Sequence, residues 1–123
     1  MKEKVLIVDD TEFYQRAYQT KLLSAGYLTR VAGNGVEALK ALMTEKPDLI
    51  LLDLMMPIMD GFKVLQAVRA NPDLQNVPVI VFSAKGASDE ISKAFEAGAN
   101  DFLVKATTTP NKVVEKIKEI LQK

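Results

Sequence analysis

The chain has 123 residues, and its 48% hydrophobic and 26% charged residues are typical of a globular domain rather than a disordered segment. Its 16 basic side chains balance its 16 acidic ones, which gives no support for direct binding to nucleic acid or to a membrane surface. The absence of cysteine and histidine excludes disulfides, thiolate chemistry, histidine bases and the common zinc sites, but it leaves divalent ions bound through oxygen.

The length suits a single domain over residues 1–123. The basic start of the chain, residues 1–4, leads into an apolar run too short for a signal peptide or a membrane span. We therefore expect a soluble, cytoplasmic protein.

Five short apolar runs predict β-strands. The runs are Val5–Val8, Leu28–Ala32, Leu49–Leu52, Val79–Phe82 and Phe102–Val104. The third run has no two-residue alternation and ends in the single carboxylate of Asp53, which is typical of a strand covered on both faces. The second run is less apolar, so we expect it nearer an edge of the sheet.

A helix is predicted after each strand, because apolar residues recur there at helical spacing. In the first helix this apolar stripe consists of Tyr14, Ala17, Tyr18 and Leu22. The predicted N-caps of the later helices are Asn34, Asp60, Ser88 and Thr109. Gly26 and Gly98 are predicted to end the first and fourth helices.

Alternation of strand and helix indicates an α/β fold with a mostly parallel sheet and helices on both of its faces. The chain contains neither a GxGxxG nor a GxxxxGK[ST] phosphate loop, so we do not expect a nucleotide ligand.

Polar side chains follow four of the predicted strands. Asp9 and Asp10 follow the first, Asp53 the third, Ser83 the fourth and Lys105 the fifth. Because parallel strands end at one edge of the sheet, these groups should surround one pocket. Two carboxylates about 4 Å apart repel by roughly 4 kcal/mol at an effective dielectric constant near 20, so we expect Lys105 and a divalent cation such as Mg²⁺ to offset the charge.

These motifs resemble the receiver domain of two-component response regulators, in particular the stand-alone chemotaxis regulators. The resemblance rests on Asp9-Asp10, Asp53, the MPIMDG segment at residues 56–61, Ser83-Ala84 and Lys105, in an element order that matches along the whole chain. It implies a flavodoxin-like, doubly wound (βα)5 fold with five parallel strands in the order 2-1-3-4-5.

The resemblance also implies a function and a set of roles. Asp53 would accept a phosphoryl group from a phosphohistidine on a sensor histidine kinase or a phosphotransfer protein. Asp10 and Asp53 would bind Mg²⁺, with Mn²⁺ as a substitute; Asp9 would act directly or through water, and Met55 would add its backbone carbonyl. Lys105 would stabilise phosphoryl oxygens in a loose transition state. The protein would be a regulatory domain rather than an enzyme.

Switching would involve two further residues. The Ser83 hydroxyl would donate to the new phosphoryl group, and Phe102 would rotate into the space that Ser83 leaves. The face formed by the fourth helix, fifth strand and fifth helix would then change for a downstream protein partner. The expected oligomeric state is a monomer or a weak dimer.

Each residue also has an ordinary structural explanation. Asp9 and Asp10 could cap a helix, Asp53 could belong to a turn, and Ser83 could satisfy backbone groups in a loop. Lys105 could be a solvated surface cation, and Phe102 part of the core. Only the functional hypothesis predicts their joint placement at the strand ends.

The main departure from the family pattern is Ala106, which stands where a proline with a cis peptide usually follows the lysine. A cis bond before a residue other than proline costs about 3–4 kcal/mol, so this bond is either trans or strained. The departure supports an alternative, a pseudo-receiver that is not phosphorylated. A metal-dependent phosphohydrolase is disfavoured, because Met55 occupies the position of the second aspartate that such an enzyme would use.

Overall fold

The computed structural model describes residues 2–122, in which five strands alternate with five helices. The strands are Lys4–Val8 (β1), Leu28–Ala32 (β2), Leu49–Leu52 (β3), Val79–Ser83 (β4) and Asp101–Val104 (β5). The helices are Glu12–Ser24 (α1), Gly35–Thr44 (α2), Gly61–Ala70 (α3), Ser88–Glu96 (α4) and Pro110–Leu121 (α5), and a short 3-10 turn, Lys105–Thr107, follows β5. None of the helices in this part of the chain is long and apolar enough to cross a bilayer.

All strand pairs are parallel, and the sheet order is β2-β1-β3-β4-β5. The predicted (βα)5 fold and its 2-1-3-4-5 order are therefore confirmed. Every residue of β3 and β4 is buried, as the continuous apolar runs predict. β2 lies at an edge and shows exposed residues along its length, which confirms the expectation from its weaker apolar character.

The two faces of the sheet each have a hydrophobic cluster. Leu6 and Val8 of β1 belong to the cluster covered by α2, α3 and α4. Val5 and Ile7, which alternate with them, belong to the cluster covered by α1 and α5. Burying a side chain of this size stabilises the fold by roughly 2 kcal/mol, so the sheet is fixed from both sides and its carboxyl edge is a rigid platform.

Helix starts follow the sequence predictions with one exception. The side chains of Asn34, Asp60 and Thr109 each accept a hydrogen bond from the backbone N–H three residues on, which confirms these N-caps. The prediction for Ser88 is wrong, because α4 already begins at Ser88 and Ala87 is its N-cap, without a side-chain hydrogen bond. Two acidic residues in the first turn instead favour this helix end electrostatically.

The predictions that two glycines end helices are also confirmed. Gly26 has φ 97° and Gly98 has φ 108°, in the left-handed region that favours glycine. They follow α1 and α4 closely, so each stops its helix and turns the chain toward the next strand.

One side chain links three segments at the amino edge of the sheet, opposite the carboxyl edge. Arg69, in the last turn of α3, donates to the carbonyl oxygens of Gln75 (3.1 Å) and Val77 (2.7 Å), which precede β4. It also donates twice to the Gly98 carbonyl and once to Asn100 Oδ1, both before β5. Burial lowers the pKa of Arg69, but its partners still receive a charged donor.

Candidate functional site

Three of the predicted site residues meet at the carboxyl edge of the sheet. Lys105, just after β5, places its Nζ 2.7 Å from Asp9 Oδ2 and 3.3 Å from Asp53 Oδ2. The three side chains are only 4–6% exposed. A buried ammonium therefore lies between the acids that follow β1 and β3, as the parallel topology predicts.

Asp10 completes a group of three carboxylates. One oxygen from each of Asp9, Asp10 and Asp53 lies within 4.8 Å of the others. Asp9 and Asp53 are buried and Asp10 is exposed, so the group opens to solvent on one side. A single ammonium cannot neutralise three carboxylates, and clustered carboxylate oxygens are the donors that Mg²⁺ prefers. The residues present thus fit a hard divalent cation.

Hydrogen bonds to the backbone and to the side chain of Asp9 hold this residue in place. Its N–H donates to the Ala32 carbonyl (3.1 Å), and its Oδ1 accepts from the Thr11 N–H (2.9 Å). The Gln15 side-chain amide donates to the Asp9 carbonyl (2.6 Å). Thr11 is the N-cap of α1, so helix capping explains neither Asp9 nor Asp10.

Asp53 is held where β3 leaves the sheet. Its N–H donates to the Val8 carbonyl (2.9 Å), and its Oδ1 accepts from the Met55 N–H (3.1 Å). The Gly61 N–H donates to the Leu54 carbonyl (3.0 Å), which brings the start of α3 against this loop. A Cβ at Gly61 would collide with the Asp53 carbonyl and lie 2.7 Å from Leu54 Cα. Close packing of α3 thus fixes the backbone that presents Asp53.

Burial raises the pKa of the Asp53 carboxyl above the ordinary aspartate value, and the Asp9 carboxylate adds to the rise. The Lys105 ammonium and the Met55 N–H oppose it by stabilising the ionised form. Because burial disfavours the ionised form of Asp53, a further positive charge beside the carboxylate would stabilise it.

Two aromatic rings adjoin the Lys105 ammonium. Its Nζ lies 4.1 Å from the centre of the Tyr14 ring and 5.7 Å from that of Phe82. From the sequence, Tyr14 is predicted to belong to the apolar stripe of the first helix, with no role in the site. No sequence signal identifies it, because the contact depends on how the folded chain brings the Lys105 side chain over α1.

Ala106 does not prevent Lys105 from reaching the acids. The described residues contain no cis peptide bond, so the bond between Lys105 and Ala106 is trans, the first of the two alternatives. Lys105 then enters a 3-10 turn instead of continuing β5.

The comparison with protein families agrees with this geometry. The chain matches the response regulator receiver domain over residues 5–118. The chain belongs to this family. As a receiver domain it is a regulatory domain of two-component signalling.

Similar proteins include regulators and separate receiver domains. The receiver domain is 37% identical over 123 residues to the alkaline phosphatase synthesis transcriptional regulatory protein PhoP of Bacillus subtilis, with 100% of this chain and 50% of PhoP covered. It spans about half the length of the curated relatives it matches.

Among solved structures, chemotaxis protein CheY4 of Vibrio cholerae has a TM-score of 0.92 at 28% identity, covering 98% of this chain and 100% of CheY4. The phosphorylated cyanobacterial phytochrome response regulator RcpA has a TM-score of 0.86 at 28% identity, covering 99% of this chain and 95% of RcpA.

The other two predicted residues of this receiver domain lie on neighbouring strands. Ser83 is 0% exposed, and its Oγ has no hydrogen-bond partner among residues 2–122. In the parallel register Ser83 pairs with Val104, and Val81 pairs with Phe102, so all four share one face of the sheet. Phe102 is partly buried against the cluster on that face.

Proposed function

We propose that this receiver domain is a phosphorylation-activated switch in which Asp53 accepts a phosphoryl group from a phosphohistidine. The donor is a sensor histidine kinase or a phosphotransfer protein. The observation that supports this most directly is the buried Asp53 carboxylate, which lies beside the Lys105 ammonium and within a group of three carboxylates.

The chemistry follows from these neighbours. An Asp53 carboxylate oxygen forms a bond to phosphorus while the bond from phosphorus to the imidazole nitrogen breaks, and the imidazole leaves with the electron pair. The product is an acyl phosphate on Asp53. Lys105 stabilises the negative oxygens of the transferring group, and its 2.7 Å ion pair with Asp9 holds the amine close to the reacting carboxylate.

The carboxylates would hold the metal. Asp10 and Asp53 would bind Mg²⁺, or Mn²⁺ in its place, with Asp9 directly or through water and the Met55 backbone carbonyl as the remaining protein ligand. The bound ion supplies positive charge to the phosphoryl oxygens. The exposure of Asp10 supports this arrangement, because it leaves a path by which a hydrated cation can enter.

The unpartnered Ser83 hydroxyl supports the switching step. A phosphoryl group adds about −1.5 to −2 charges and three strong acceptors, so it offers Ser83 a hydrogen bond that the unphosphorylated state lacks. Phe102, on the same face of the sheet, would then move into the space near Ser83. The face formed by α4, β5 and α5 changes as a result and binds a downstream protein partner.

The decisive experiment is intact mass measurement after incubation with Mg²⁺ and acetyl phosphate. The wild type should gain the mass of one phosphoryl group, and Asp53→Asn should gain none. Asp60→Asn is the matched control, because it alters an acid in the same loop while asparagine still caps α3, and it should be phosphorylated like the wild type.

Two results would contradict the proposal. An unmodified wild type would indicate a pseudo-receiver that acts through binding alone. Continuous release of phosphate from diverse phosphate esters would indicate a phosphohydrolase.

A further inference from the structure

We propose that Tyr14 is a positioning residue for phosphoryl transfer, because the face of its ring orients the Lys105 ammonium toward Asp53. The proposal deepens the proposed function and rests on it. It concerns a contact between α1 and the end of β5 that the family motifs do not include.

The first support is the set of neighbours around the amine. Lys105 Nζ lies 2.7 Å from Asp9, 3.3 Å from Asp53 and 4.1 Å from the centre of the Tyr14 ring. An ammonium has three N–H donors; that of Lys105 donates a hydrogen bond to Asp53 Oδ2 and forms an ion pair with Asp9. The negative face of the Tyr14 ring is a further partner of the same ammonium.

Burial strengthens the attraction between the Lys105 ammonium and the Tyr14 ring. The Lys105 side chain is only 6% exposed, so little water competes for its ammonium. Cation–π attraction is strongest where the cation is desolvated and within about 6 Å of the ring centre. Phe82 lies near that limit at 5.7 Å, so Tyr14 provides most of the aromatic contribution.

The Tyr14 ring is itself held in place. It stacks on Tyr18 at 6.4 Å and meets Phe82 edge to face at 5.9 Å. Tyr18 and Phe82 are 3% and 2% exposed and belong to the cluster beneath α1. A ring fixed by buried neighbours can fix the amine that lies over it.

Lys105 needs such a partner because its own backbone constrains it weakly. Ala106 and Thr107 of the 3-10 turn are exposed, and Ala106 lacks the proline ring usual in the family. The amine also lies closer to Asp9 than to Asp53. Tyr14 limits how far it moves from the phosphoacceptor.

The first test compares rate constants of phosphorylation at saturating acetyl phosphate and Mg²⁺. Tyr14→Leu should be about tenfold slower, since about 1.4 kcal/mol of lost attraction corresponds to a factor of ten. Tyr14→Phe should stay within about twofold of the wild type, because it retains the ring. Tyr27→Leu is the matched control: it removes a buried ring of the same cluster that neither stacks on Tyr14 nor faces the amine, and its rate should also be retained.

The second test varies the charge on the ring at nearly constant shape. Phenylalanines with increasing numbers of fluorine atoms at position 14 should lower the logarithm of the rate stepwise, whereas the same series at position 27 should have no effect. A purely structural role predicts no such gradient. A flat series at position 14, an unchanged Tyr14→Leu rate or an equally slow Tyr27→Leu would overturn the proposal.

A third measurement needs neither metal nor phosphodonor. The NMR signals of the Lys105 side-chain protons nearest the amine should show an aromatic ring-current shift in the wild type and in Tyr14→Phe, and lose it in Tyr14→Leu. No such shift would overturn this proposal while leaving Asp53 as phosphoacceptor. A wild type that shows the shift but takes up no phosphoryl group would overturn the proposed function, and the positioning role with it.

Discussion

The Lys105 amine contacts Asp9 at 2.7 Å and Asp53 at 3.3 Å, so the shorter ion pair does not involve the proposed phosphoacceptor. Since all three side chains are nearly buried, removing the Lys105 amine would leave two desolvated carboxylates without compensation. Asp9 therefore contributes to the site in two ways, by holding the amine and by adding negative charge for a cation.

The aromatic residues beneath this ion pair lead to a prediction about alkaline pH. Burial, with a smaller contribution from Tyr14, raises the pKa of Tyr18 from 10.0 to about 12. Above pH 10 the unfolded chain releases the phenolic proton while the folded protein retains it, so stability falls as pH rises. Relative to Tyr18→Phe, the wild type should lose about 1.4 kcal/mol of unfolding free energy by pH 11.

Urea denaturation of both proteins at pH 8 to 11 measures this effect. The difference between them should be constant at the lower end of that range and grow only above pH 10. Parallel loss of stability in both proteins would show that Tyr18 ionises equally easily in the folded and unfolded states.

At the scale of elements, the junction between β3 and α3 determines how Asp53 is presented. Gly61→Ala places a methyl group against the Asp53 carbonyl and Leu54 Cα, and backbone cannot move aside as a flexible side chain can. We expect a loss of about 2–3 kcal/mol in the free energy of unfolding, as for an overpacked core. Thermal or urea denaturation would measure it.

Gly33→Ala is the control, because Gly33 also lies in a loop between a strand and a helix at this edge. Its added Cβ would meet only side-chain atoms, the nearest being Glu37 Oε1 at 3.4 Å. Its stability should change by less than about 1 kcal/mol. Equal losses in the two variants would contradict the argument from close packing at Gly61.

The elements were predictable where one local pattern dominates. The apolar run of β3 and the side-chain caps Asn34, Asp60 and Thr109 show directly in the sequence. Ser88 was not predictable, because serine suits both the cap and the first helical position, and the path of the preceding loop decides between them.

At the scale of the whole molecule, a cation that binds only the folded protein must stabilise it. Mg²⁺ at 100 times its dissociation constant should raise the free energy of unfolding by about 2.7 kcal/mol. Asp10→Asn should lose most of that gain, since it removes an exposed member of the carboxylate group. Urea denaturation with and without Mg²⁺ gives the two values.

Glu115→Gln, on the exposed side of α5, removes one negative charge elsewhere and should keep the full gain from Mg²⁺. If Asp10→Asn were stabilised by Mg²⁺ as much as the wild type and this control, the ion would not bind at the carboxylate group.

The convergence of acids and amine was predictable at this scale, because parallel strands end at one edge whatever their order. The strand order itself came from the family resemblance. The contact between Tyr14 and Lys105 was not predictable, since it joins residues far apart in sequence and depends on how the Lys105 side chain reaches α1 in the folded chain.

The five hydrogen bonds from Arg69 have a consequence for how a signal could spread through the fold. They fasten the segments that enter β4 and β5 to the end of α3. The region between these segments contains β4 and α4. Because it is anchored at the amino edge of the sheet, it can shift mainly at the carboxyl edge, near Ser83. Phosphorylation would then tilt α4 about a fixed pivot rather than displace it as a whole.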